Sequence, residues 1–201
     1  MALHLLGDAF EVHRYVVGPL DNNVYILKCR ASSEALLVDA ADAPELLAEA
    51  AERHHVHLVV QTHGHHDHIQ AVPALRRAGI PVAISPADAA ALSGFDLELH
   101  DGAVLAIGRL RVRAIATPGH TPGSMCFSVE NAPLLFSGDT LFPGGPGATS
   151  SPQAFATIVA SISQRLFAHL SDDTIVLPGH GEQTTIGAEA PHLPAWIARG
   201  W

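Results

Sequence analysis

A chain of 201 residues is expected to form one domain, and its 48% hydrophobic and 15% charged residues supply enough apolar side chains for a large core. The formal net charge of −9, without a cluster of Lys or Arg, argues against binding to nucleic acid or to an anionic membrane. No segment reaches the ~20 apolar residues of a membrane span, no signal peptide is apparent, and the two cysteines are too few for a disulfide framework. These features predict a cytoplasmic protein.

The first half of the sequence predicts short strands and helices. Strands are expected where β-branched and apolar residues are bounded by Gly, Pro, Asn and Asp, at residues 12–17, 24–28, 35–38, 58–61 and 81–84. Pro44 begins a predicted helix that ends near Arg53, because proline is favoured in the first helical turn. A second helix is predicted to start near Ile69 and to stop at Gly79, and a short third one spans residues 86–92.

The second half continues this pattern. Strands are predicted at residues 103–107, 110–116, 125–129, 134–136 and 174–177. A loop rich in Gly, Pro and Ser over 142–152 precedes the strongest amphipathic helix, at 155–167. Many short strands, with helices after each group, predict an α/β (α+β) fold in which two mixed β-sheets pack face to face and the helices cover their outer faces.

Four short segments carry side chains that bind metals, and each follows an apolar, strand-like run. The densest reads Thr-His-Gly-His-His-Asp-His at residues 62–68, and the others surround positions 120, 139 and 180. Together they offer five imidazoles and two carboxylates: His63, His65, Asp67, His68, His120, Asp139 and His180. A His-rich segment alone binds metal non-specifically, but four segments with these residue types suit two borderline ions such as zinc.

The spacing of these residues predicts how two ions would be shared. His63 and His65 lie two residues apart in a loop and can reach one ion, which His120 would complete. The second ion would take the remaining ligands of the dense segment together with one from the last segment: Asp67, His68 and His180. Asp139 can bridge, because two ions about 3.5–4 Å apart need a shared anionic ligand. The remaining positive charge would favour a small anionic ester, thioester or lactone as substrate.

The flanking residues extend the pattern over essentially the whole chain. The segments Asp-Asn-Asn-Val-Tyr at 21–25, Leu-Val-Asp at 37–39, Thr-Pro-Gly-His-Thr-Pro-Gly-Ser at 117–124 and Phe-Ser-Gly-Asp-Thr-Leu-Phe at 136–142 accompany the ligand pattern. Together they resemble the metallo-β-lactamase superfamily, in particular short bacterial members of its glyoxalase II (hydroxyacylglutathione hydrolase) branch. The resemblance implies a four-layer αββα sandwich with the metals at one edge of the sheets. It also implies the ligand allocation given above, with Asp39 orienting the ligands from behind.

Comparison within the superfamily narrows the prediction. The best-known β-lactamases carry a cysteine where Asp139 stands, which argues against that activity. Homoserine-lactone lactonases rely on an active-site tyrosine, and the only tyrosines here, Tyr15 and Tyr25, lie in the first strands, which weakens the prediction of a lactonase. Typical glyoxalase II has a C-terminal helical domain that binds glutathione, but here only residues 181–201 follow His180. A single metallo-β-lactamase-like domain over 1–201 is therefore predicted, and the thiol carrier is left open. Three tail residues are expected to pack on the protein or on a partner subunit: Trp196, Ile197 and Trp201.

The expected activity is hydrolysis of a thioester of a small acid by a hydroxide that two metal ions activate and Asp67 orients. Zinc is the expected metal, with iron or manganese as alternatives. One rival is a persulfide dioxygenase that holds a single iron on His63, His120 and Asp139. Lactonase or esterase activity and a non-catalytic metal-binding role are further alternatives. The sequence identifies no substrate-binding residues, and it is compatible with a monomer or a homodimer.

Overall fold

The computed structural model describes residues 2–200, and its first half forms a seven-stranded sheet whose strands lie in chain order. The strands are β1 (Ala2–Leu6), β2 (Phe10–Val17), β3 (Asn22–Cys29), β4 (Ala35–Val38), β5 (Val56–Val60), β6 (Val82–Ile84) and β7 (Leu97–Glu98). Strands β1 to β4 pair antiparallel, and β4 to β7 pair parallel. The carboxyl ends of β4, β5 and β6 therefore lie at the same edge of the sheet.

The second half forms a six-stranded mixed sheet and a small hairpin. The sheet contains β8 (Val104–Ile107), β9 (Leu110–Ala116), β10 (Met125–Val129), β11 (Leu134–Gly138), β14 (Ile175–Pro178) and β15 (Thr184–Thr185). Their spatial order is β15-β14-β11-β10-β9-β8, and only the β11–β14 pair is parallel. The hairpin consists of β12 (Leu141–Phe142) and β13 (Gly145–Pro146). The sequence did not predict β1, β7, β12, β13 or β15.

The helices are short, and several differ from the sequence prediction. They are α1 (Pro44–His54), α2 (His66–Ile69), α3 (Val72–Arg77), α4 (Pro152–Ser161), α5 (Ile186–Glu189) and α6 (Leu193–Arg199). The hydroxyl of Ser151 caps α4, which continues as a π-helical segment over Ile162–Phe167. The helix predicted at residues 86–92 is wrong, because only one 3₁₀ turn forms there, at Ala89–Ala91.

The helix predicted to begin near Ile69 is instead divided into α2 and α3. The backbone N–H groups of Gln70 and Ala71 donate to the carbonyl groups of Ala41 and Ala40, both at 2.9 Å, rather than to the preceding helical turn. A new helix starts immediately afterwards, with Pro73 in its first turn. The consequence is that α2 stands alone as a single turn that carries Asp67 and His68.

The main core lies between the two sheets. Leu27 and Leu36 from the first sheet pack in one cluster with Phe127, Phe136 and Leu177 from the second, and each is fully buried or nearly so. Because successive side chains in a strand point to opposite faces, the neighbours of these residues face outward toward the helices.

Two further clusters cover the outer faces of the sheets. On the first sheet, Ile26 and Leu37 pack with Leu47 of α1 and Leu75 of α3. On the second, the outer face packs against α4, its π-helical continuation and the C-terminal helices, through Cys126, Leu135, Ile158, Ile162 and Trp196. The arrangement is helix, sheet, sheet, helix, which confirms the predicted αββα sandwich. None of the helices in residues 2–200 has the length and apolar character that crossing a membrane requires.

The C-terminal segment closes the second sheet. Trp196 is buried, with its ring centroid 6.1 Å from that of Phe167, so this residue packs on the protein as expected. Ile197 is exposed, and Trp201 lies outside the described residues. The carboxylate of Glu189 is buried and accepts a hydrogen bond from the backbone N–H of Gly144 at 2.9 Å. The segment thereby fixes the β12–β13 hairpin.

Candidate metal centre

All seven predicted ligands meet at one edge of the sandwich. His63 and His65 follow β5, and the single turn α2 carries Asp67 and His68. The other three lie in the β9–β10 loop, after β11 and after β14, respectively: His120, Asp139 and His180. Since the carboxyl ends of neighbouring parallel strands share an edge, the strand order of both sheets brings these loops together.

The ligands form two clusters joined by one carboxylate. The ligand atoms of His63, His65 and His120 lie within 4.8 Å of one another, and the same holds for those of Asp67, His68 and His180. Between the clusters, Asp139 Oδ2 lies 3.6 Å from His120 Nε2 and 3.6 Å from His180 Nε2. The other oxygen, Oδ1, is 3.5 Å from His68 Nε2. We call these groups the first and the second cluster.

The hydrogen bonds of the imidazoles fit a metal centre. His68 Nδ1 donates to Asp39 Oδ2 at 2.9 Å, His120 Nδ1 to the carbonyl of Ala148 at 2.7 Å, and His180 Nδ1 to the carbonyl of Leu20 at 2.9 Å. In each case Nε2 is the ring atom that faces the cluster and can ligate an ion once it carries no proton. Within residues 2–200, the buried Nε2 atoms of His63 and His120 have no hydrogen-bond partner. Buried polar atoms are almost always paired, so these two atoms suit an ion as their missing partner.

Asp39 supports the site from behind, as the family resemblance implies. Its carboxylate accepts hydrogen bonds from the backbone N–H of Thr62 at 2.7 Å and from the Thr62 hydroxyl at 2.8 Å, in addition to that from His68. Its backbone adopts a left-handed conformation with φ 62°, which Asp tolerates better than most residues. Asp39 thereby fixes both the start of the histidine-rich segment and the ring of His68.

Two glycines allow the loops to approach each other. Gly138 has φ 49°, and a side chain there would place Cβ 2.5 Å from Thr62 Oγ1. At Gly179, a Cβ would overlap with Asp139 Oδ1 and lie 2.7 Å from His68 Cε1. The close approach of the loops that carry Asp139 and His180 therefore depends on these two glycines.

Sequence reasoning did not identify two residues that hold the site. Asn22 Nδ2 donates to Asp67 Oδ2 at 2.8 Å, and Asn22 lies in one of the segments that carry the family resemblance. Asp88 is buried and accepts hydrogen bonds from the backbone N–H of Gly64 and the hydroxyl of Thr121, at 2.8 and 2.6 Å. No sequence signal marked Asp88, which stands in the segment that was expected to be a short helix.

The two most buried histidines of the site, His63 and His68, have pKa values shifted in opposite directions. Burial holds the pKa of His63 well below the ordinary value, and the neighbouring histidines, His68 first, add to this effect. Burial also opposes the charged form of His68, but contacts with Asp139 and Asp39 outweigh it and raise its pKa to about 10. Burial alone would raise the pKa of Asp139, but the neighbouring His68 lowers it. Without metal, the site therefore carries a proton on His68 at neutral pH.

Metal binding should release that proton. A metal ligates only the neutral imidazole, so an ion that binds His68 at pH 7.5 must displace its proton, whereas His63 has none to lose. We expect about one proton from His68 per chain, and zinc affinity that rises up to about tenfold per pH unit until the pH approaches the His68 pKa of about 10. Calorimetric titration with zinc in buffers of different ionisation enthalpy measures this release. The His68→Asn variant provides the control, because it still releases any proton that metal-bound water loses but has no proton on residue 68 to release. Equal release from both proteins contradicts the prediction.

The family was identified by comparison with known proteins. The sequence model of the metallo-beta-lactamase superfamily matches residues 17–180, a range that contains all seven candidate ligands. The chain belongs to the metallo-β-lactamase superfamily. This finding confirms the resemblance in the sequence. Together with the His/Asp clusters, membership in this superfamily of metal-dependent hydrolases supports an enzyme that uses divalent metal ions.

Similar proteins agree with this placement. A hydroxyacylglutathione hydrolase from Fuscovulum blasticum is 37% identical over 185 residues, which cover 89% of this chain and 71% of that protein. The crystal structure of TTHA1623 in a di-iron-bound form has a TM-score of 0.77 and 28% identity, over 92% of this chain and all of that one. ETHE1 from Myxococcus xanthus has a TM-score of 0.77 and 26% identity, over 91% of this chain and 83% of that one.

Proposed function

We propose that the protein hydrolyses thioesters of small acids, with two divalent ions held by the seven ligands. One observation carries the proposal: Asp139 lies between two complete clusters, with contacts of 3.5 and 3.6 Å from its oxygens to imidazoles of both. A single ion would need only one cluster. A shared carboxylate is the ligand that two close ions require.

Each ligand has a separate task. His63, His65 and His120 would hold one ion, and the second cluster, Asp67, His68 and His180, would hold the other. Two ions held there would supply Lewis acidity, which would polarise a carbonyl oxygen and lower the pKa of a water toward ~7. The chain contributes rigid positions for both, because every imidazole that donates through Nδ1 to a fixed acceptor can turn only its Nε2 toward the centre.

Asp67 is the group proposed to orient the attacking water. Burial alone would raise the pKa of Asp67, but the hydrogen bond from Asn22 and the nearby His68 lower it, so the carboxylate stays anionic. Asn22 occupies Oδ2 and fixes the orientation of the side chain. The carboxylate is half-buried at the edge of the cluster, where it can accept a hydrogen bond from a water.

A thioester fits the site because its leaving group needs little help. A thiol has a pKa near 8.5, so the thiolate departs without a strong general acid. Two divalent ions with Asp67 and Asp139 leave the centre positively charged, which favours an anionic substrate. The name of the Fuscovulum blasticum relative supports the same chemistry. This chain spans 52% to 71% of the length of two hydroxyacylglutathione hydrolases that it matches, so the thiol carrier is not taken from them.

Zinc is the proposed metal, and iron is the alternative. TTHA1623, which has the same fold and 28% identity, was crystallised with two irons. A mononuclear iron dioxygenase acting on a persulfide would use His63, His120 and Asp139 alone, and these three do lie together. Such dioxygenases carry the same seven ligands, so the metal content and oxygen uptake, and not the identity of the ligands, distinguish this alternative from the two-ion hydrolase.

The test is thiol release from a panel of thioesters that differ in acyl group and thiol carrier, beginning with S-lactoylglutathione. We expect zinc-loaded protein to turn over at least one member at about 1–10 per second or faster, a typical enzyme rate. The His66→Ala variant is the matched control: His66 is exposed, belongs to neither cluster, and its loss should leave the rate unchanged. No release from the whole panel by protein with two zinc ions bound rejects the proposal. Oxygen uptake with a persulfide by protein containing one iron would support the dioxygenase instead.

A further inference from the structure

The ligands of the second cluster are oriented by the β2–β3 hairpin. Asn22, the first residue of β3, donates to Asp67 Oδ2 at 2.8 Å and lies 3.4 Å from His180 Nε2. The backbone of Asn22 also forms a bridge with that of His180. In the turn between the two strands, the carbonyl of Leu20 accepts the hydrogen bond from His180 Nδ1 at 2.9 Å. Two of the three ligands in this cluster therefore take their orientation from one hairpin.

Arg14 ties the hairpin to the loop that carries the last ligand. Its Nε donates to Asn23 Oδ1 at 2.7 Å, and its Nη2 donates to the carbonyl of Gly181 at 2.8 Å. Asn23 in turn donates through Nδ2 to the carbonyl groups of Pro178 and Gly181, at 2.9 and 3.0 Å. The backbone N–H of Asn23 donates to the carbonyl of Gly179 at 2.7 Å. The residues on both sides of position 180 are thus held by Arg14 and Asn23.

The first cluster is held by Asp88 instead. Asp88 is 8% exposed, and its carboxylate accepts a hydrogen bond from the backbone N–H of Gly64, which separates the first two histidines of the dense segment. It also accepts from the hydroxyl of Thr121, the residue after His120, and from the backbone N–H of Gly123 at 2.8 Å. Three hydrogen bonds to one carboxylate therefore join the two loops that form the first cluster, and none reaches the second.

We propose that Arg14 and Asp88 are positioning residues that set metal occupancy at the two clusters independently. Arg14 acts on the second cluster through the hairpin, and Asp88 acts on the first through its two loops. The inference rests on the proposed two-ion site. It has a consequence for chemistry, since one substitution outside the ligand set would convert a two-ion centre into a one-ion centre.

The expected effect is selective because the two sets of contacts share no residue. Loss of a partner that orients a metal ligand lowers metal affinity about 10–100-fold. Effects at sites without common partners add independently. The clusters are connected by Asp139, which bridges, by Asp39, which holds both Thr62 and His68, and by the rings of His63 and His68, whose centroids lie 4.2 Å apart. None of these residues forms a hydrogen bond with Arg14 or Asp88 among those found in residues 2–200.

The test measures zinc affinity in two backgrounds that each leave one cluster intact. His120→Ala disables the first cluster, and His180→Ala disables the second. Adding Arg14→Ala should weaken zinc binding about 10–100-fold in the His120→Ala background and less than about threefold in the other. Asp88→Asn should show the opposite selectivity. Competition with a chromophoric chelator gives both dissociation constants.

Arg30→Ala is the matched control. Arg30 is an exposed arginine beside the same sheet, and its guanidinium donates to the carbonyl groups of Gly7 and Asp8, both at 3.2 Å, away from the metal loops. This variant should leave zinc affinity unchanged in both backgrounds. Arg14→Lys separates charge from positioning, because it keeps the cation but not the paired donation, and it should remain weakened. Arg14→Gln, which retains an amide donor, should show the same selectivity with a smaller loss if Arg14→Ala proves unfolded by circular dichroism.

The outcomes separate this inference from the proposed function. Equal losses in the two backgrounds, or no loss from Arg14→Ala in folded protein, overturn the independent control of the two clusters. The readout is zinc affinity, so a wild-type protein that binds two ions but hydrolyses no thioester rejects the thioesterase while this test stands. A wild-type protein that binds a single zinc would overturn both.

Discussion

Replacing Asp139 by alanine is expected to lower kcat for thioester hydrolysis at least about 1,000-fold, equivalent to about 4 kcal/mol, and to reduce bound zinc from two ions to one or fewer. Asp139 is the only group positioned between the clusters among the described ligands, with oxygens 3.5 to 3.6 Å from three imidazoles. Without its charge, two cations would repel each other across the centre. The Nε2 atoms of His68 and His180, already 3.2 Å apart, would then face no anion from this residue.

Asp139→Asn and direct metal analysis make this prediction specific. The asparagine keeps the size of the side chain and one acceptor oxygen, so it should retain one ion more tightly than the alanine but still lose the second. Metal content after dialysis, kcat and circular dichroism are measured on the same preparations. Two zinc ions retained by folded Asp139→Ala protein would show that this carboxylate does not bridge.

The sequence predicted which residues meet because each candidate ligand follows a strand. His63, Asp139 and His180 come directly after β5, β11 and β14, and strands of this kind end at one edge of a sandwich. The chemistry of imidazole and carboxylate then identifies the residue types without knowledge of distances. For the same reason the central strands and the two-sheet architecture were predictable from apolar runs bounded by turns.

The residues that position the ligands were not predictable in this way. Asp88 joins Gly64 to Thr121, and Asn22 reaches Asp67 across 45 positions of sequence. An Asp or Asn in a turn has many local uses, so nothing in the sequence distinguishes a turn residue from one that holds a distant loop. Only the packing of the loops in three dimensions reveals these contacts.

Secondary structure at the margins of the sheets was missed for a related reason. Strands such as β7 and β15 contain two residues each and exist because a neighbouring strand offers hydrogen bonds. The division of α2 from α3 arises from the carbonyl groups of Ala40 and Ala41, which accept hydrogen bonds that a continuous helix would keep internal. Both outcomes depend on tertiary contacts rather than on local propensity.

With both clusters loaded with zinc, Asp67→Asn is expected to lower kcat about 1,000-fold while the KM for the thioester changes less than about threefold, because orientation of the attacking water stabilises the transition state and not the bound substrate. The amide keeps the size of the side chain and one oxygen but removes the charge that Asn22, His68 and His180 now surround. Asn22→Ala is the informative comparison. Asn22 acts through Asp67, so its loss should lower kcat about tenfold, a smaller decrease than that expected for Asp67→Asn.

This pair of variants distinguishes orientation of the water from metal holding alone. If Asp67 served only as a ligand, a zinc concentration that refills the second cluster should restore the kcat of the Asp67→Asn protein. The same concentration should restore the kcat of the His180→Ala protein. If Asp67 also orients the attacking water, saturating zinc should restore the His180→Ala protein in the same way but the Asp67→Asn protein very little, because metal does not replace the missing carboxylate. Kinetics at saturating zinc, with metal content measured in parallel, therefore decide between the two roles. Full recovery of Asp67→Asn would assign the residue to metal binding and remove it from the chemical step.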